Sequence, residues 1–215
     1  MNIKRFLFFA ALFSSLFTFQ LNAKAPNKFT NLGFAFTNMK QANSKSFHSD
    51  LGFSLNKATT YYLHKPIAGK LLFGIDVAWT DITYSNYKVN YIKLSAPDET
   101  ETSTIHALDI TVQGGLGINY AITNNVNLHA FARYAPGVAG IFQDNDLMAG
   151  FLNSADFGLL INWKFIGVGF DWRFGQSRHK SVLPQIDLED ASIEYSKEKI
   201  KTNISGGRVF LSLSF

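Results

Sequence analysis

From residue 29 onward the chain alternates between apolar and polar positions with a period of two, in runs separated by turn-rich or charged stretches. Leu32, Phe34 and Phe36 share one face against Asn31, Gly33, Ala35 and Thr37. A period of two predicts β-strands. The pattern recurs with Phe47, Leu51, Phe53 and Leu55 against Asp50, Gly52, Ser54 and Asn56. It recurs again with Leu71, Phe73, Ile75, Val77 and Trp79 against Gly74, Asp76, Ala78 and Thr80. A fourth run sets Leu108, Ile110, Val112, Leu116, Ile118 and Tyr120 opposite Asp109, Thr111, Gln113, Gly115, Gly117 and Asn119.

The fifth places Val126, Leu128, Ala130, Ala132 and Tyr134 opposite His129, Phe131 and Arg133. The sixth places Phe157, Leu159, Ile161 and Trp163 opposite Asp156, Gly158 and Asn162. In the seventh, Ile166, Val168, Phe170, Trp172 and Phe174 oppose Gly167, Gly169, Asp171 and Arg173. The last run ends the chain, with Val209, Leu211, Leu213 and Phe215 on one face and Arg208, Ser212 and Ser214 on the other. Eight strands are therefore expected.

A soluble sandwich would turn the apolar faces to a core and the polar faces to water. Two features favour the inverse. The polar faces are rich in Gly, Ala and Ser, which suits a crowded interior. The apolar faces end in Trp79, Tyr120, Tyr134, Trp163, Trp172 and Phe215, as the aromatic girdles of a membrane barrel require. The expected fold is all-β, a transmembrane antiparallel up-and-down β-barrel.

The connections agree. Those at about 38–46, 85–103, 135–152 and 176–203 read as long, whereas 121–125 and 163–165 are tight, so long and short ends segregate to opposite sides. The stretch 57–70 is long for a turn. If it hid a further hairpin, the barrel would have ten strands and a wider interior.

Composition changes this picture little. At 215 residues with mean hydropathy +0.02 the chain suits one domain and is not apolar enough for a helical membrane protein. The absence of Cys excludes disulfides, thiolate metal sites and a lipid-modified N-terminal cysteine. Residues 1–23 join a basic start (Lys4, Arg5) to a short apolar run ending near Leu21-Asn22-Ala23, the pattern of a secretory signal peptide. Cleavage after Ala23 is expected, because cleavage after Ala25 would leave Pro26 first. The domain is then 24–215. Without Lys4 and Arg5, the 20 basic residues fall to 18 against 16 acidic ones, no argument for nucleic acid.

The candidate chemistry lies on the inward faces: Asp50, Asp76, Asp109, Asp156 and Asp171 with His129, Arg133, Arg173 and Arg208. Charges inside a narrow barrel are costly unless paired, so this set reads first as a salt-bridged plug. A catalytic reading would pair Asp109 with His129 and recruit Ser54, Ser154, Ser212 or Ser214, but no spacing selects a serine. His48, His64, His106, His129 and His179 show no metal-binding spacing, and no cofactor is implied. Gly115-Leu116-Gly117 and Gly167-Val168-Gly169 lie inside strands, where lumen packing explains them better than phosphate binding.

The segment 176–203 mixes charges with apolar residues and reads as a ribbon prolonging the last two strands. Tyr84, Tyr87 and Tyr91 could serve an outer girdle, and Asp98-Glu99-Thr100-Glu101 an acidic tip.

The terminal Val209-x-Leu211-x-Leu213-x-Phe215 resembles the assembly signal of bacterial outer-membrane barrels. As a whole, residues 29–215 resemble the small eight-stranded outer-membrane barrels of Gram-negative bacteria, the OmpX and OmpA transmembrane-domain type, without the periplasmic domain of the latter. The resemblance implies outer-membrane lipid and the barrel assembly machinery as partners. It also implies a non-enzymatic role in which surface loops meet an extracellular protein or surface ligand, or stabilise the envelope. A narrow solute channel and a lipid-modifying enzyme are the alternatives.

Overall fold

The computed structural model describes residues 25–41, 46–93, 96–143, 146–181, 185–187, 192–194 and 200–215. The expected signal peptide lies outside the described residues. Eight strands close into one antiparallel barrel: β1 (Lys28–Gln41), β2 (Ser46–Tyr62), β3 (Leu71–Lys93), β4 (Ala96–Ala121), β5 (Val126–Gln143), β6 (Asp146–Trp163), β7 (Ile166–Ser181) and β10 (Ile200–Ser214). Two short strands, β8 (Gln185–Asp187) and β9 (Ser192–Glu194), pair only with each other in the last connection. Among the described residues the barrel thus has eight strands, and 63–70 is a turn.

The C-terminal strand closes the ring. β10 pairs with β7 on one side and with β1 on the other, from Phe29↔Ser214 to Gln41↔Thr202. Val209, Leu211, Leu213 and Phe215 all face outward. Closure leaves no sheet edge, so every strand's backbone groups find partners without water.

The distribution of side chains is inside out relative to a soluble protein. Leu116 is 67% exposed and Trp163 65%, while Asp81 and Asp156 are fully buried. An exterior belt of Leu, Ile, Val and Phe on every strand exceeds any patch that water tolerates, and bilayer hydrocarbon is its natural solvent. This is a transmembrane β-barrel.

Two expectations about the connections are corrected. Most of the stretches 85–103 and 135–152 are strand, not loop: β3, of 23 residues, runs to Lys93 and β4, of 26, starts at Ala96, while β5 runs to Gln143 and β6 starts at Asp146. A tilted strand crosses a bilayer in about ten residues, so the excess length projects from the end opposite the three turns. In that extension an apolar cluster of Met39, Tyr87, Ile105, Ile141 and Met148 fills the interior beside the buried Ser177, His179 and Thr202, while residues such as Arg178 and Lys180 face out. Tyr87 is therefore inside rather than in an outer girdle.

Within the membrane segment an apolar floor made by Phe29, Phe131, Leu160 and Phe210 lies inside the lumen. It fits because glycines face it: a Cβ on Gly158 would come within 2.3 Å of the Phe131 ring and 2.8 Å of Asp171 Cβ. Gly158→Val should cost about 1–3 kcal/mol by overpacking, read as an earlier denaturant midpoint. An unchanged midpoint would mean that the floor is loosely packed.

Candidate functional site

The charged lumen is built from six strands around Asp81 of β3. Arg208 of β10 donates from Nη1 to both Asp81 oxygens at 2.8 and 2.9 Å, and grips Asp171 of β7 through Nε at 2.7 Å and Nη2 at 2.8 Å. Arg173 of β7 donates from Nε and Nη2 to Asp156 of β6, both at 2.8 Å, and from Nη2 to Asp81 at 2.9 Å. In an eight-stranded ring β7 and β3 are four strands apart in either direction, so the Arg173 to Asp81 bond crosses the full lumen. Asn56 and Gln113 add amide donors to Asp81 at 2.8 and 2.7 Å.

A second cluster lies toward the turn end. Asp76 of β3 accepts from Arg133 Nε at 2.6 Å, from His129 Nε2 at 3.0 Å and from Thr60 Oγ1 at 2.5 Å. The Arg133 guanidinium sits 3.7 Å over the Phe131 ring, and the His129 ring stacks on Phe29 at 4.8 Å. Gln113 joins the two clusters: its Nε2 donates to Asp81 and to Asp156 at 2.8 Å, and its Oε1 accepts from Arg133 Nη1 at 3.3 Å. The two-pronged arginine contacts matter energetically, because a buried ion offsets its desolvation only when its remaining hydrogen-bonding capacity is filled.

Asp76, Asp156, Asp171, His129, Arg133, Arg173 and Arg208 thus all enter one network. Asp109 is buried nearby on β4 but makes none of these contacts, and it does not pair with His129. Asp50 lies elsewhere. It is 45% exposed and bonds Lys88 Nζ at 2.7 Å on the outer surface. The reason is a β-bulge: β2 pairs Ser49 with Tyr87 and then Leu51 with Asn86, leaving Asp50 unopposed and reversing the alternation. For the same reason Phe47 packs inside, against the apolar cluster of the extension.

Asp81, the hub, escapes a strict alternation because β3 carries a second bulge. β3 pairs Ala78 with Gln113 and next Asp81 with Thr111, so Trp79 and Thr80 lie between two inward residues. The slip is visible in the sequence as a change of phase, from apolar odd positions up to Trp79 to apolar even positions at Ile82 and Tyr84.

The catalytic constellation is not assembled. The His129 to Asp76 pair has no serine on its other ring nitrogen, since Nδ1 has no partner. Ser177 and His179, adjacent inward positions on β7, are hydrogen-bonded at 2.5 Å, but both are fully buried.

No protein-family model matches the sequence, and no curated protein matches it. Among solved structures, similarity is found to the outer membrane protein OprG of Pseudomonas aeruginosa, at 13% identity over 91% of this chain and 99% of that one, TM-score 0.44. It is also found to the outer membrane protease OmpT of Escherichia coli, at 7% identity over 92% and 99%, TM-score 0.44. Neisserial surface protein A follows at 11% identity over 87% and 97%, TM-score 0.41. One of these three is a protease.

Proposed function

We propose that the protein is an outer-membrane barrel of the Gram-negative envelope that works as a closed anchor, presenting its projecting strands for non-enzymatic interaction or adhesion. One observation carries this reading: the Arg173 to Asp81 bond and its companions tie opposite walls of the lumen together through the membrane segment. A solute path would have to break several charge-assisted hydrogen bonds in a site of low dielectric. Strand length supports the second half, because β3 and β4, with 23 and 26 residues, extend well past what crossing requires and project beyond the belt. The terminal Val209, Leu211, Leu213 and Phe215 would be read by the assembly machinery, outer-membrane lipid would solvate the belt, and an extracellular protein or surface ligand would meet the projecting hairpins.

The test is conductance of refolded residues 24–215 in a planar bilayer. No steady current is expected from the wild type or from Asp50→Ala. Ohmic openings altered by Arg173→Ala would replace the closed anchor with a channel. A variant with 90–99 trimmed to a tight turn should fold normally and lose binding to its surface ligand; retained binding would move the working surface elsewhere.

A further inference from the structure

Lys57 is a cation on the lipid side of the barrel. On β2 the outward positions run Leu51, Phe53, Leu55, Lys57, Thr59, Tyr61, and Leu63 follows, so Lys57 has apolar belt both above and below it. Its own side chain is exposed, while Asn56 and Ala58 on either side point into the lumen. The interface level at Tyr61 lies about 10 Å away along the barrel axis, given a rise of ~3.3 Å per residue and a tilt near 40°, farther than a lysine stem reaches. Among the described residues Lys57 has no ion pair or hydrogen bond, and below Asp50 no acidic side chain faces outward.

The surroundings are those of a recognition site. Lys57 is paired with Thr30 of β1 and with Thr80 of β3, so a hydroxyl-bearing residue lies beside it on each neighbouring strand. Immediately above, Leu32, which pairs with Leu55, opens a groove of about 380 Å³ between Phe34, Phe53, Val209 and Leu211 with an almost wholly apolar lining. A cation between two threonines, one strand pair below an apolar groove that begins at Leu32, matches a molecule with one anionic head and one hydrocarbon chain. A second copy of this chain does not fit, because its outward belt has no acid to offer.

We infer that the outer face of β1 and β2 binds a single-chain carboxylate amphiphile, with the head on Lys57 between Thr30 and Thr80 and the chain along the groove at Leu32 and Phe34. Trp79, outward and one residue from Thr80, is a built-in reporter.

The experiment uses the full barrel with Trp163→Phe and Trp172→Phe, leaving Trp79, in phosphatidylcholine bilayers. Brominated stearic acid, at a pH where it is ionised, is compared with its methyl ester as a quencher. The acid should half-quench Trp79 at about a tenfold lower mole fraction than the ester, as a charge-assisted contact implies. Lys57→Met should abolish the difference and Lys57→Arg should keep it, with closure of each barrel confirmed by its faster migration on unheated gels. Equal quenching by acid and ester in the lysine-bearing protein overturns the inference, and so does an acid preference that survives Lys57→Met.

Discussion

Asp81→Ala is expected to cost about 3–5 kcal/mol, because it breaks two buried ion pairs and takes an acceptor from the amides of Asn56 and Gln113. Asp81 accepts from Arg173, Arg208, Asn56 and Gln113, whereas, of the other carboxylates, Arg173 keeps only Asp156, and Arg208 keeps Asp171 and a longer bond to Asp156 at 3.2 Å. Denaturant unfolding of the barrel in bilayers would show the loss as a lower midpoint. Asp50→Ala is the matched control: it removes an exposed ion pair and should leave the midpoint in place. Combining Asp81→Asn with Arg208→Gln should recover part of the loss, since the residues share one network and their effects will not add. A loss below about 1 kcal/mol for Asp81→Ala would mean that water reaches the hub and that the lumen is not closed around it.

The second large effect has the opposite sign. Lys57→Leu should stabilise the barrel by about 2–4 kcal/mol in zwitterionic bilayers, the cost assigned to a lysine on the lipid face near the midplane. The measurement is again the unfolding midpoint, now without any anionic amphiphile. Adding a long-chain carboxylate should narrow the gap by stabilising the lysine form alone, as binding to the native state must. No change on substitution would show that Lys57 reaches interfacial water and that the belt is locally thin. Lys28, at the start of β1 and close to the interface, should give a much smaller gain.

Much of the architecture is legible along the chain because a membrane barrel imposes one rule on every strand: lipid outside and packed polar groups inside. Alternation alone locates the crossing segments, places Val209, Leu211, Leu213 and Phe215 on the lipid face and Arg208 in the lumen, and puts the three turns at one end. The inward charges follow from the same parity, wherever the parity is unbroken. It fails in two kinds of place. At the bulges, one extra residue exchanges the faces, so Asp50 leaves the lumen and Asp81 enters it. Above the membrane, solvent replaces lipid, the interior takes up apolar side chains, and Phe47, Tyr87 and Ile105 follow a reversed rule that makes strand read as loop.

Parity also has no bearing on pairing. The sequence by itself determined the fold class, the eight crossings, the closing strand and nearly all the charged groups of the lumen, because each depends on which face of a strand a residue occupies. Only the tertiary structure decided that Asp81 is the hub, that Gln113 joins two clusters and that Arg173 spans the lumen. Those facts depend on the register around a closed ring, which brings Arg208 to Asp81 across 127 positions. A lumen this narrow has room for one arrangement of side chains, and that arrangement is set by the shape of the ring.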